Sequence, residues 1–72
     1  ITMATNTECM NALSLAVKHA GDNGSAKICI QDAIFLIGEQ RYKDAMRRIY
    51  HSLQHSVGIF HPDCRAVSKL RF

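Results

Sequence analysis

The sequence predicts an all-α fold: a small three-helix bundle, made of an antiparallel helical hairpin plus an N-terminal helix, with a short C-terminal fourth helix. Three observations predict it. Thr5-Asn6-Thr7-Glu8 is a capping-box signature ahead of an apolar stripe at three- and four-residue spacing. Glycines close three such stripes, at Gly21, Gly38 and Gly58. The apolar run 28–37 exceeds ordinary strand length and has no second strand-like run to pair with, so it reads as a helix although Ile and Phe also favour sheets.

The first helix reads as residues 6 to 20. Met10, Leu13, Val17 and Ala20 form its expected inward stripe, with Cys9 and Ala16 beside them and Asn11, Ser14 and Lys18 on other faces. Gly21 is the natural left-handed terminator, and Gly21-Asp22-Asn23-Gly24 is the strongest turn signal in the chain. Ser25 is the expected N-cap of the second helix, which runs to about residue 37 and stops at Gly38. Lys27, Gln31 and Asp32 give this helix only a narrow polar strip. One neighbour cannot cover the rest, so surplus apolar surface must meet another helix, a second copy or a partner.

The third helix is expected to open at Glu39 or Gln40 and to reach about Ser56, stopping near Gly58. Tyr42, Ala45, Met46, Ile49, Leu53 and Val57 form a clear amphipathic stripe, and Asp44 is placed to pair with Arg48 one turn on. Pro62 suits the first turn of a short helix from 62 to about 70, with His61 at its boundary. The run Gly38-Glu39-Gln40-Arg41-Tyr42-Lys43-Asp44-Ala45 resembles the turn and second-helix start of a tetratricopeptide-type hairpin. No second copy of the roughly 34-residue unit follows it, and any tight helix pair needs a stop, a ring and a small residue there. No family membership is read from it.

Seventy-two residues make one domain, with Met3 read as the natural start and residues 1 and 2 as remnants of expression. A hydrophobic content of 47% excludes disorder. A chain this short buries only about 60% of its unfolded surface, so its core is marginal and a partner subunit would help it. Cys9, Cys29 and Cys64 are an odd set with no close pairing, which points to free thiols in a reducing, cytoplasmic setting. Cys9 and Cys29 fall on helices as small buried hydrophobes, whereas Cys64 is expected to be exposed. No apolar run is long enough to span a membrane, and no membrane partner is expected.

Chemistry-bearing residues are few. His51, His55, His61 and Cys64 supply the four N and S ligands that Zn²⁺ takes, but without CxxC knuckles, and solvated histidines are the favoured reading. Cys64 beside Arg65 and near His61 lacks a positioned base and an oxyanion site, and no pair of carboxylates suggests acid–base work. No enzyme activity and no cofactor are expected. The net charge of +3 and pI near 9.0 admit an anionic partner. Lys43, Arg47, Arg48 and His51 lie opposite the third helix's apolar stripe, and Arg65, Lys69 and Arg71 follow in the tail. That strip could meet phosphates, so nucleic-acid binding is the alternative function. The leading expectation is a non-enzymatic interaction module, an adaptor or inhibitor that buries its apolar helix surface against a partner protein or in a homodimer. Phe35, Tyr50 and Phe60 are the expected anchors.

Overall fold

The computed structural model describes residues 4–70 and 72, so the expected start at Met3 and Arg71 of the basic tail lie outside the described residues. Four helices follow one another: α1 (Asn6–Ala20), α2 (Gly24–Gly38), α3 (Tyr42–Ser56) and α4 (Pro62–Ser68), with no strand among the described residues. The first three pack together with α3 between its neighbours, most extensively on α2 and then on α1, while α4 folds back onto α3. The Cα envelope measures 29 × 23 × 14 Å. At about 10–12 Å per helix diameter, the thin dimension leaves outer helix faces with nothing over them.

Each helix end has a local cause. At α1 the Glu8 amide donates to the Thr5 hydroxyl (3.1 Å) and the Glu8 carboxylate accepts from the Thr5 amide (3.1 Å), which is the capping box the sequence predicts. Gly21 then takes a positive φ of 50° to end the helix. The N-cap of α2 is Asn23, not Ser25. Asn23 Oδ1 accepts from the Ala26 amide (3.0 Å) while Nδ2 donates to the His55 carbonyl (2.9 Å). One side chain thus caps α2 and fixes the turn to the end of α3, which the serine two residues later is not placed to do.

The α2–α3 turn corrects two expectations. Gly38 is still helical, and the left-handed residue is Gln40, at φ 60°. The Gln40 amide donates to the Ile37 carbonyl (2.9 Å) and the Arg41 amide to the Leu36 carbonyl (2.9 Å), the paired bonds of a Schellman cap. Because residues 39–41 are spent on that cap, α3 opens at Tyr42 rather than at Glu39 or Gln40. Asp44 pairs back with Arg41 (2.7 Å), and Arg48 reaches across to Asp32 of α2 (2.8 Å), so the expected Asp44–Arg48 pair does not form. At α4, His61 is the N-cap, its Nδ1 accepting from the Asp63 amide (3.0 Å), and the helix ends at Ser68, two residues short of the expected limit.

The core has an uneven division of labour. The large fully enclosed side chains Met46, Ile49 and Leu53 come from α3, as its stripe predicts. The residues α1 and α2 bury are mostly small: Cys9, Ala12, Ala16 and Ala20 on one, Ala26, Cys29 and Ala33 with Ile30 on the other. Small residues let helix backbones approach closely, so α1 turns its Ala/Cys stripe inward. Met10 and Val17, expected inside, are left about half exposed, and Leu13 is only partly buried. Cys64 is also corrected: it is fully buried with Val67 beneath α4. Besides the Arg48–Asp32 pair, two inter-helix bonds tie α3 to its neighbours. Buried Ser52 donates to the Ala26 carbonyl (3.0 Å), and Cys9 Sγ donates to the Tyr42 carbonyl (3.3 Å).

Candidate interaction face and histidine cluster

Helical phase decides what α2 presents. Asp32, bonded to Arg48, marks the α3 side of α2; Ile30, Ile34 and Ile37 occupy the opposite edge, toward α1. Ile28 and Phe35, seven residues apart, sit on the outermost line, diametrically away from buried Ala26 and Ala33. On α1, His19 bonds to Asp63 of α4 and so marks the α4 side. Leu13, Val17 and Met10 then fall on the edge facing α2. The two antiparallel edges adjoin. Met10, Val17 and Ile34 lie along the α1–α2 seam and Ile28 and Phe35 on the back of α2, each between 47% and 65% exposed, with exposed Lys27 and Gln31 between the two sets.

The three anchors expected from sequence are not gathered there. Phe35 belongs to this face. Phe60 is the most exposed large apolar residue of the described chain at 83%, but it lies in the α3–α4 loop beside half-exposed Ile59. The Asn23–His55 bond places that loop near the start of α2. Phe35 is eleven residues further along, roughly 16 Å at 1.5 Å per residue. Tyr50 is partly buried against the core, its ring 6.1 Å from that of Phe72. Met10, Val17, Ile28 and Ile34 were not foreseen as anchors. The signal that finds Met10, Val17 and Ile28 is the seven-residue spacing of Met10/Val17 and Ile28/Phe35, which repeats on two neighbouring helices.

The expected basic strip is partly dismantled. Lys43, Arg47 and His51 are exposed on the outer face of α3, and neither Lys43 nor Arg47 has a carboxylate partner among the described residues. Arg48 instead lies half-buried along α2 beside Phe35 and Leu36, neutralised by Asp32. A groove of about 220 Å³ between α1 and α4, lined by Leu15, Ala66, Val67 and Leu70, falls below the ~300–1,000 Å³ of ordinary small-molecule sites.

The zinc set His51, His55, His61 and Cys64 does not come together. His51 and His55 are exposed on α3, and the buried Cys64 thiol has its pKa pushed up by burial. Among the described residues the set that does converge is His19, His61 and Asp63, whose ligand atoms lie within 4.8 Å of one another. His19 Nε2 stands 2.6 Å from Asp63 Oδ2, and the two imidazoles meet edge to face at a centroid distance of 4.9 Å. The bond from His19 holds the Asp63 carboxyl below the usual carboxylate range. His19 sits in the last turn of α1, 44 residues before Asp63, so no local spacing announces this cluster.

No family model matches the chain, and neither a curated protein nor a solved structure matches it. Among the described residues no helix is long and apolar enough to cross a membrane.

Proposed function

We propose that this chain is a small non-enzymatic protein-interaction module. It works as an adaptor or inhibitor by burying the α1–α2 apolar face against a partner protein or a second copy of itself. One observation carries the reading: five large apolar side chains lie half-exposed or more along the α1–α2 seam and the back of α2 in a domain of only 72 residues. The largest apolar patch on a typical monomer is ~300–600 Å² and is often functional, and these side chains are the main exposed apolar groups of α1 and α2. A standard interface buries roughly 800 Å² on each partner, so Lys27 and Gln31, which lie between the two apolar sets, would be covered along with them.

Phe35 is the central anchor, since rings that fill a partner's pocket dominate binding energy. The test compares native chain with Phe35→Lys by light scattering across a concentration series and by affinity capture. Lysine suits this position because a cation is favourable near a helix C-terminus. Self-association or capture that the variant loses, with its helical content unchanged, supports the reading. Indistinguishable behaviour of the two proteins would remove it.

A second reading, nucleic-acid binding through Lys43, Arg47 and His51, has the exposure of those side chains in its favour, with Arg48 already occupied by Asp32. It requires oligonucleotide affinity that falls steeply with salt and is lost on reversing Lys43 and Arg47 together.

A further inference from the structure

We infer that His19, His61 and Asp63 form a site for a divalent transition-metal ion, Zn²⁺ by preference, that clasps α4 onto α1. The fold, and not the sequence, assembles it: one ligand comes from the last turn of α1 and two from the start of α4. Two imidazole nitrogens and one carboxylate oxygen are a familiar three-ligand zinc set, with a fourth position left for water or a partner's side chain. Calcium and magnesium fit poorly, because they take six or more oxygen ligands.

Distances agree with the assignment. An ion bonded at ~2.0–2.1 Å to tetrahedral donors holds them roughly 3.4 Å apart. Here the His19–Asp63 pair is at 2.6 Å, and no separation in the set exceeds 4.8 Å. Binding an ion would open the close pair and draw the third ligand in, each by about 1 Å. His61 Nδ1 already accepts the Asp63 amide, and its Nε2 has no bond to a described residue, so Nε2 is free to ligate. All three residues are half-buried, reachable by an ion yet held by their helices.

The site must be separated from His51 and His55, an exposed i, i+4 pair on α3 able to bind metal weakly on its own. Two substitutions remove ligands without undoing the fold. His61→Asn leaves a strong N-cap, and His19→Gln leaves a donor for Asp63. The experiment titrates Zn²⁺ into the full chain against a chromogenic zinc indicator, with Co²⁺ absorption as a second readout of ligand geometry. The expected result is one equivalent whose affinity falls at least tenfold in either His19→Gln or His61→Asn and changes less than twofold in His51→Ala/His55→Ala. Zinc at a hundredfold excess over its Kd should raise the melting midpoint by about 10 °C or more. Absence of binding, binding indifferent to His19→Gln and His61→Asn, or loss that tracks His51 and His55 would each overturn the assignment.

Discussion

Replacing Leu53 by Ala should cost several times more stability than replacing Phe35 by Lys, although Phe is the larger side chain. Leu53 is fully enclosed on α3. Leu53→Ala loses transfer free energy and leaves a cavity, for a cost of about 2–5 kcal/mol. A domain of 72 residues holds roughly 4–11 kcal/mol in all, at ~0.05–0.15 kcal/mol per residue. At about 4–8 °C per kcal/mol, a 3 kcal/mol loss lowers the melting midpoint by roughly 12–24 °C. Phe35, 65% exposed, keeps only about a third of its side chain covered. That is ~70 Å² of a ~200 Å² ring, less than about 2 kcal/mol at ~25 cal/mol per Å², and less again against a compact unfolded chain. Lysine near the helix C-terminus recovers a few tenths, leaving about 1 kcal/mol. Urea unfolding followed by far-ultraviolet circular dichroism measures both. Equal losses, or a larger one at Phe35, would mean that the ring is inside and that the exposed face does not exist.

Three further outcomes follow from individual residues. Gln40→Gly should stabilise the fold by about 0.5 kcal/mol, because the left-handed backbone of the α2 cap costs an L-residue ~1 kcal/mol or more that glycine largely avoids; a lower urea midpoint would contradict the Schellman assignment. Ser52→Ala should cost about 1 kcal/mol by loss of the buried bond to the Ala26 carbonyl, and a neutral result would show the bond to be idle. Burial pushes the Cys9 and Cys64 thiols up, with the charge of Glu8 adding at Cys9. Their folded pKa values therefore exceed the unfolded ones, so this share of stability is complete below the ordinary thiol range, about 8.5, and is lost as pH rises through the raised values. Urea midpoints should fall between pH 8 and 10 less steeply in Cys9→Ala/Cys64→Ala than in the native chain. Rapid labelling of all three thiols by a disulfide reagent in the folded protein would contradict their enclosure.

What the sequence carried well was local. The Thr5–Glu8 box, the α3 stripe and the Pro62 start are short-range patterns, and the structure reproduces each. On α1 the expected Ala20, with Cys9 and Ala16 beside it, is buried, but hydrophobicity ranks Met10 and Val17 above Ala12, and it is Ala12 that goes inside. Close packing of helix on helix rewards small size, which periodicity does not weigh. Glycine is the usual left-handed residue and marks Gly38 as the α2 stop, whereas Gln40 takes that conformation and displaces the start of α3. Arg48 had a carboxylate one turn away in Asp44 but bonded to Asp32 on another helix, as an inter-helix groove offered a half-buried site. The His19–Asp63 pair and the adjoining edges of α1 and α2 depend on tertiary placement. Of the exposed apolar surface, the excess girth of α2 and the ring of Phe35 are legible in the sequence.

The most direct test of an apolar docking face is site-specific photo-crosslinking in cells, with a photoreactive phenylalanine analogue placed in turn at positions 35 and 47. A discrete protein adduct formed from position 35 and absent from position 47 is the predicted result. Adducts from position 47 with none from position 35, above all adducts to nucleic acid, would contradict the account.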